Sequence, residues 1–439
     1  MTAPVTTRVD GPDARWCEHP VGAPRALFRS VLHVNEKGGR FGGTEEYIAL
    51  LTAGLTAQGV RSHLVCGVLD GAPPPGLSSV HVVDGLASRA PLAGTAEELA
   101  AVIDGVDPDV VYLHNVFDPA VVAAIAGRRG GRTVIWYVHD HYVTCLSELR
   151  WRRDVGSCPH RLGHDCLTAI GEGHCVMRFP DRVLTATDLG DRMALSRSLD
   201  AVDAVVVVSD YMRSLLTEAA PHLRRRVHLV ARPIRDLGLL RLRHRHAATD
   251  PAVIAYAGRI TPEKGLAVVI EALGRTTNPA PIELRIAGVV EDQSYWQHCL
   301  AVQAVAMAAN PRLTVDVLGH LDYDATDELF RSADIVTIPS QWPEPLGAVA
   351  LEAMSAGSAV VAASIGGLGS TLRHGRSGLL VEPTDVTAWV GALTALLDDP
   401  ALARRLGTQA HRDVGGAAIG DHVGVLDEIA TTSRRRRPA

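Results

Sequence analysis

The sequence predicts an α/β protein of two doubly wound domains in series, each a parallel sheet covered by helices and the two facing a central cleft. Three observations carry this. The chain has 439 residues, more than one core organises, so two domains of roughly 200 residues each are expected. Short β-branched runs alternate with helical stretches along most of its length, as strands buried on both faces require. The alternation also starts afresh after a linker-like stretch near the middle.

Taken in order, residues 1–25 are polar and punctuated by Pro and Gly, and are expected to be poorly ordered. The first domain spans 26–235. It opens with RSVLHVN (Arg29 to Asn35) as a buried strand, a glycine-rich loop EKGGRFGG, and a helix TEEYIALLTAGLTAQG whose first-turn acids suit the helix dipole. The runs SHLVCGV, VHVVDGL, PDVVYLHN, RTVIWYVHD, DAVVVVS and RVHLVA continue the sheet. A linker occupies 236–250, and the second domain, 251–410, carries AVIAYAGR, IELRIAGV, LTVDVLG, ADIVTIPS, SAVVAAS and SGLLVEP. Residues 411–439 read as a C-terminal helix and a basic tail, Arg434 to Arg437, expected to be solvated. One segment breaks the rhythm: from His141 to about Ala186 no period is visible, and four of the seven cysteines fall there. Long irregular insertions in compact domains are often functional.

Composition excludes some functions. Apolar residues make up 47% of the chain, enough for two cores, and the net charge of −6 gives no general attraction to nucleic acid or anionic lipid. No apolar run approaches the roughly 18 residues that span a bilayer, and the N-terminus lacks the apolar centre of a signal peptide, so a cytoplasmic protein is expected. Seven scattered cysteines in such a chain argue for free thiols or a metal over a disulfide framework.

Two motifs of the second domain carry chemistry. AYAGRITPEKGLAVVIEAL places Arg259 and Lys264, one of only two lysines in the chain, between a strand end and a helix. A guanidinium and an ammonium there suit a diphosphate. PEPLGAVALEAMSAG (Pro343 to Gly357) sets Glu344 and Glu352 in an otherwise apolar stretch. Buried carboxylates need polar partners, and a ligand rich in hydroxyls is one. With a helix opening at the Pro345-Leu346-Gly347 turn, the two glutamates stand about 12 Å apart along its axis. A nucleotide-sugar has hydroxyl groups at both ends of a comparable span.

The Glu-x7-Glu spacing, the GR-x4-KG pair and the GGTE loop together resemble the GT4 family of retaining glycosyltransferases, from about Leu27 to about Pro400. The resemblance implies the GT-B fold, two Rossmann-like domains with the nucleotide-sugar on the second. It assigns donor-sugar hydroxyls to Glu344, ribose to Glu352, diphosphate to Arg259 and Lys264, and backbone contacts to Gly42, Gly43, Leu346 and Gly347. It also implies a UDP- or GDP-sugar donor, same-face attack, and no cofactor.

Strand-end histidines add candidates. His114 ends VVYLHN and His139 ends VIWYVHDH, so both are expected to point into the cleft, His114 toward the donor and His139 toward the reacting atoms. Asp140 is a candidate general base. No metal is expected at the reaction centre: the DPD (Asp107 to Asp109) and DYD (Asp322 to Asp324) triplets precede predicted elements and read as turn or cap carboxylates. Zinc on Cys145, Cys158, Cys166 and Cys175 is the less favoured reading of the insertion, because no C-x2-C pair is present. Packing thiols in an acceptor loop are preferred. ARPIRD stands where many family members have an Asn-Gly turn, which leaves the domain crossover open.

The expected partners are a donor and an acceptor, the latter a soluble small molecule of specialised metabolism. A glycan or lipid-linked saccharide acceptor is the alternative, as is an epimerase of the same fold. A dinucleotide-dependent oxidoreductase does not fit, since GGRFGG lacks the G-x-G-x-x-G spacing. A non-catalytic scaffold would have no need of the paired glutamates and cations.

Overall fold

The computed structural model describes residues 28–39, 42–88, 92–152, 155–178, 183–235, 237, 245–415 and 419–435. The stretch 1–25 and most of the linker 236–250 lie outside them. The first sheet contains β1 (Ser30–Lys37), β2 (Arg61–Val68), β3 (Leu77–Val82), β4 (Val110–Leu113), β5 (Thr133–Val138), β8 (Ala204–Val207) and β9 (Val227–Leu229). Between β5 and β8, the strands β6 (Trp151–Arg152) and β7 (Gly156–Ser157) form a two-residue antiparallel hairpin. The second sheet contains β10 (Ala252–Ala257), β11 (Ile282–Ala287), β12 (Leu313–Gly319), β13 (Ile335–Ile338), β14 (Ala359–Ala363) and β15 (Leu379–Val381).

Both sheets are parallel and doubly wound, in the orders β3-β2-β1-β4-β5-β8-β9 and β12-β11-β10-β13-β14-β15. The pairing follows from composition: β4, β5, β8, β13 and β14 are buried along their whole length, as Val- and Ile-rich strands covered on both faces must be. In register, Val34 of β1 faces Val65 of β2 and Leu113 of β4, and Tyr256 of β10 faces Ile286 and Thr337. Strand order reverses between β1 and β4 in one sheet and between β10 and β13 in the other. Ligands of such sheets bind outside the carboxyl ends of the strands at these reversals.

The expected C-terminal helix is present as Ile419–Arg435, and it packs on the first lobe against the helix Gly43–Ala57 and strands β5 and β8. Of the basic run expected to be solvated, Arg434 is instead bonded to that lobe. Arg434 donates to Thr133 Oγ1 at 2.8 Å and to the Asp109 carbonyl at 2.6 Å. His422 lies against Tyr47 OH at 2.8 Å and the Ala231 carbonyl at 2.8 Å. Residues 436–437 lie outside the described residues. The acidic triplets are structural, as read: Asp109 accepts from the backbone of Arg29 and Ser30, and Asp322 caps the helix Tyr323–Ser332.

Candidate functional site

The cleft is built from the ends of β1, β4 and β5 on one side and of β10 and β13 on the other. A cavity of about 220 Å³ opens there, walled by Glu36, Gly43, Thr44, Asn115, His139 and Asp140 of the first lobe and Glu344, Leu346, Gly347 and Ala348 of the second. Two helices end on it. Gly42 starts the helix Gly43–Ala57 and Gly347 starts the helix Ala348–Ser355, and neither N-terminus has a side-chain cap. Unpaired N–H groups and positive dipole ends from opposite lobes thus face one space.

The loop Pro343–Gly347 is held with little freedom. Gly347 takes φ 84°, and a Cβ there would meet Leu368 Cδ2 at 2.3 Å. Gly366 takes φ 55°, and a Cβ would meet the Glu344 carbonyl at 2.5 Å. Only glycine combines these dihedrals with so close a backbone approach. From the first lobe His141 donates through Nε2 to the Pro343 carbonyl at 2.7 Å, and Ser209 Oγ donates to that of Pro345. Tyr323 OH returns the contact to the Gly42 carbonyl at 3.2 Å.

Glu344 is buried, and Lys264 Nζ donates to its Oε1 at 2.7 Å beside a second donor, Ser340 Oγ. Burial would raise its pKa, but Lys264, Ser340 and the nearby Arg259 outweigh burial and keep it ionised. The Lys264 ammonium also lies 5.5 Å from the Trp342 ring centroid. Glu352 is half-buried on the helix, outside the cavity wall. Desolvation lifts its pKa to about 7 against the pull of Arg232 and Arg235. Arg259 is committed to Glu291 at 2.7 Å and Glu263 at 3.1 Å, and does not line the cavity.

The first lobe corrects two expectations. His114 does not face the cavity: it is fully buried, with Nε2 3.1 Å from His33 Nδ1 and Nδ1 3.0 Å from His139 Nε2. Its strand sits mid-sheet, so its ring packs between its neighbours' rings. Of the three, His139 lines the cavity. Burial lowers all three pKa values, to about 3 for His33, so the row is neutral at physiological pH. Asp140 is not a free base. Burial would raise its pKa, but the ion pair with Arg178 and the bond from His141 N at 2.6 Å hold it below the usual carboxylate range.

Sequence reading missed Arg232, which lies in the ARPIRD departure. It is buried, lines the cavity, and has no hydrogen bond or ion pair among the described residues. Its Nη1 stands 3.1 Å from where a Gly43 Cβ would be, so the guanidinium lies against that helix start. The other missed groups, Glu36, Asn115 and Arg178, come from three distant segments. Only Glu36, beside the glycine loop, carried a local signal.

A family profile described as Glycosyltransferase Family 4 matches residues 41–236, and one described as Glycosyl transferases group 1 matches 241–413. A glycogen synthase of Mycobacterium tuberculosis is 33% identical over 221 residues, 48% of this chain and 51% of that protein. The match thus spans about half the length of that relative. A D-inositol 3-phosphate glycosyltransferase of Streptomyces scabiei is 29% identical over 416 residues, 88% of this chain and 85% of its own. Among solved structures, Anabaena HepE in complex with UDP and glucose superposes with a TM-score of 0.66 at 16% identity, covering 92% of this chain and 100% of that one.

Proposed function

The chain belongs to the GT4 glycosyltransferases and has the GT-B fold, and from that premise we propose that it transfers a sugar, with retention, from a UDP-sugar to a hydroxyl of a soluble small molecule. The observation that carries the reading is the pair of uncapped helix N-termini, from Gly43 and Gly347, facing one cavity together with the buried Arg232, which has no hydrogen bond among the described residues. A diphosphate fits that arrangement of N–H dipoles and cation. UDP is the nucleotide held by HepE on the same fold.

In the reaction, the ionised Glu344 accepts hydrogen bonds from donor-sugar hydroxyls, and Glu352 from the ribose. The bond between the anomeric carbon and the diphosphate oxygen breaks, and the acceptor oxygen bonds to the same face. The acceptor proton passes to the departing diphosphate, since Asp140 is tied to Arg178. The helix N-termini, Arg232 and Lys264 stabilise the leaving group's charge by preorganised electrostatics, without a metal ion. His139, oriented from behind by His114 and His33, offers one ring nitrogen to sugar or acceptor.

For the acceptor, the D-inositol 3-phosphate relative matches most of this chain and is named for a small polyol phosphate. That supports a small hydroxylated acceptor over a glycan, and nothing in the relatives supports a specialised metabolite. The test is calorimetric titration with UDP, GDP and ADP in EDTA, followed by product analysis with the matching nucleotide-sugars. Tight binding of UDP alone, lost in Glu352→Ala, supports the reading; binding only after a divalent ion is added overturns its metal-free form.

A further inference from the structure

The segment from His141 to Arg178 has little core of its own. Leu149 and Val176 pack with Trp342 of the other lobe, and Trp151 lies beside them. Yet it holds Glu148 at φ 66° and Arg150 at φ 49°, conformations that side-chain-bearing residues keep only where the surroundings fix them. The buried pair of Arg192 with Glu148, at 2.8 Å, accounts for part of that constraint.

The rest of the segment gathers around its cysteines. Cys145 follows the 3-10 turn at His141–Val143, Cys158 follows β7, Cys166 lies in the first turn of the helix Asp165–Gly171, and Cys175 bridges to Arg152 of β6. All four line one cavity of about 20 Å³, room for a single water-sized occupant. All four are free thiols.

We propose that Cys145, Cys158, Cys166 and Cys175 form a closed structural site for one tetrahedral, thiophilic divalent cation of the zinc type. The absence of a C-x2-C pair counted against this in the sequence, but the fold supplies from four turns what the spacing lacks. No group of three or more His, Cys, Asp or Glu among the described residues stands at ligand geometry in the metal-free structure, so the thiols would have to move inward on binding. Metal binding removes the protons and draws the sulfurs to about 2.3 Å from the ion. Cys145 lies three residues beyond Tyr142 and Cys175 three before Arg178, both in the cleft wall. The ion therefore acts as a staple for the wall that carries the Asp140–Arg178 pair.

The test is metal analysis of the untagged full chain purified without added metal, with titration of the native protein by a mercurial. Close to one zinc per chain, released in step with the loss of about four thiols, is expected. Cys158→Ser with Cys166→Ser should lower the metal content at least about tenfold, whereas Cys66→Ser, at a buried cysteine of β2, should keep it. Less than about one zinc in ten chains, a disulfide among these four found by mass spectrometry, or zinc retained by the double variant would each overturn the proposal. Should the double variant not fold, the mercurial titration of the unaltered chain decides alone.

Discussion

The two lobes share one winding plan and use it in opposite ways. In the second, the polar groups sit in loops just past the strands: Arg259 and Lys264 after β10, Glu344 after β13, paired with one another or with near neighbours. In the first, two of them are shut away behind the cleft: His33 within β1 and His114 just past β4 are fully buried, while His139, just past β5, is partly covered and lines the cavity. His33, His114 and His139 run in a row across β1, β4 and β5, with Tyr47 packed on them and bonded to Tyr112 at 3.0 Å and to His422 at 2.8 Å. The second lobe thus presents charges that a ligand can re-pair. The opposing side fixes the orientation of a cleft-facing imidazole by burying two more behind it.

This contrast can be broken at its strongest point first. Glu344→Ala removes the proposed acceptor of sugar hydroxyls and strands Lys264, and should lower kcat/KM by about 100-fold or more; a loss under about threefold would remove Glu344 from the site. Arg232→Ala should cost about 10-fold to 100-fold in kcat/KM and weaken UDP binding, with Arg232→Lys recovering only part because the planar fork is lost. Unchanged UDP affinity in calorimetry would place the diphosphate elsewhere.

The histidine row separates turnover from folding. His139→Ala should reduce kcat/KM by about tenfold with a modest change in stability. His114→Leu leaves buried nitrogens of His33 and His139 without partners and should cost about 1–3 kcal/mol in denaturant unfolding. Equal effects of the two on both readouts would sink the distinction.

The smallest effect is one of pH. Glu352, with its pKa raised to about 7, keeps its proton in the folded state where the unfolded chain has lost it. Its contribution to stability therefore falls as pH rises from the ordinary glutamate range to about 7, and levels off above. Ribose hydroxyls favour the ionised form, so UDP affinity should rise across neutrality in wild type and stay flat in Glu352→Gln. A flat wild-type profile would detach Glu352 from the nucleotide.

The same contrast explains what was legible beforehand. The two domains and their strands show in the alternation of β-branched runs, because a strand buried on both faces has few alternatives. Glu344, Lys264 and Gly347 show because each stands in a short motif whose residue types and spacing are readable locally, although Lys264 and Glu344 meet only across 80 residues. His114 misled because a strand-end position indicates direction along the strand, not what closes over the ring. Arg178 and Arg232 are invisible in the text, since their meaning depends on Asp140 and on the helix start at Gly43, 38 and 189 residues away.

The crossing of the last helix back to the first lobe has a mechanical consequence. Leu237, two residues past Arg235, is already bonded to Ser355 and Arg331 of the second lobe, and the helix Ile419–Arg435 is back on the first, so the halves are joined at two places, like the pins of a hinge. A single tether lets two bodies swivel and slide; two leave chiefly one rotation, the opening and shutting of the cleft.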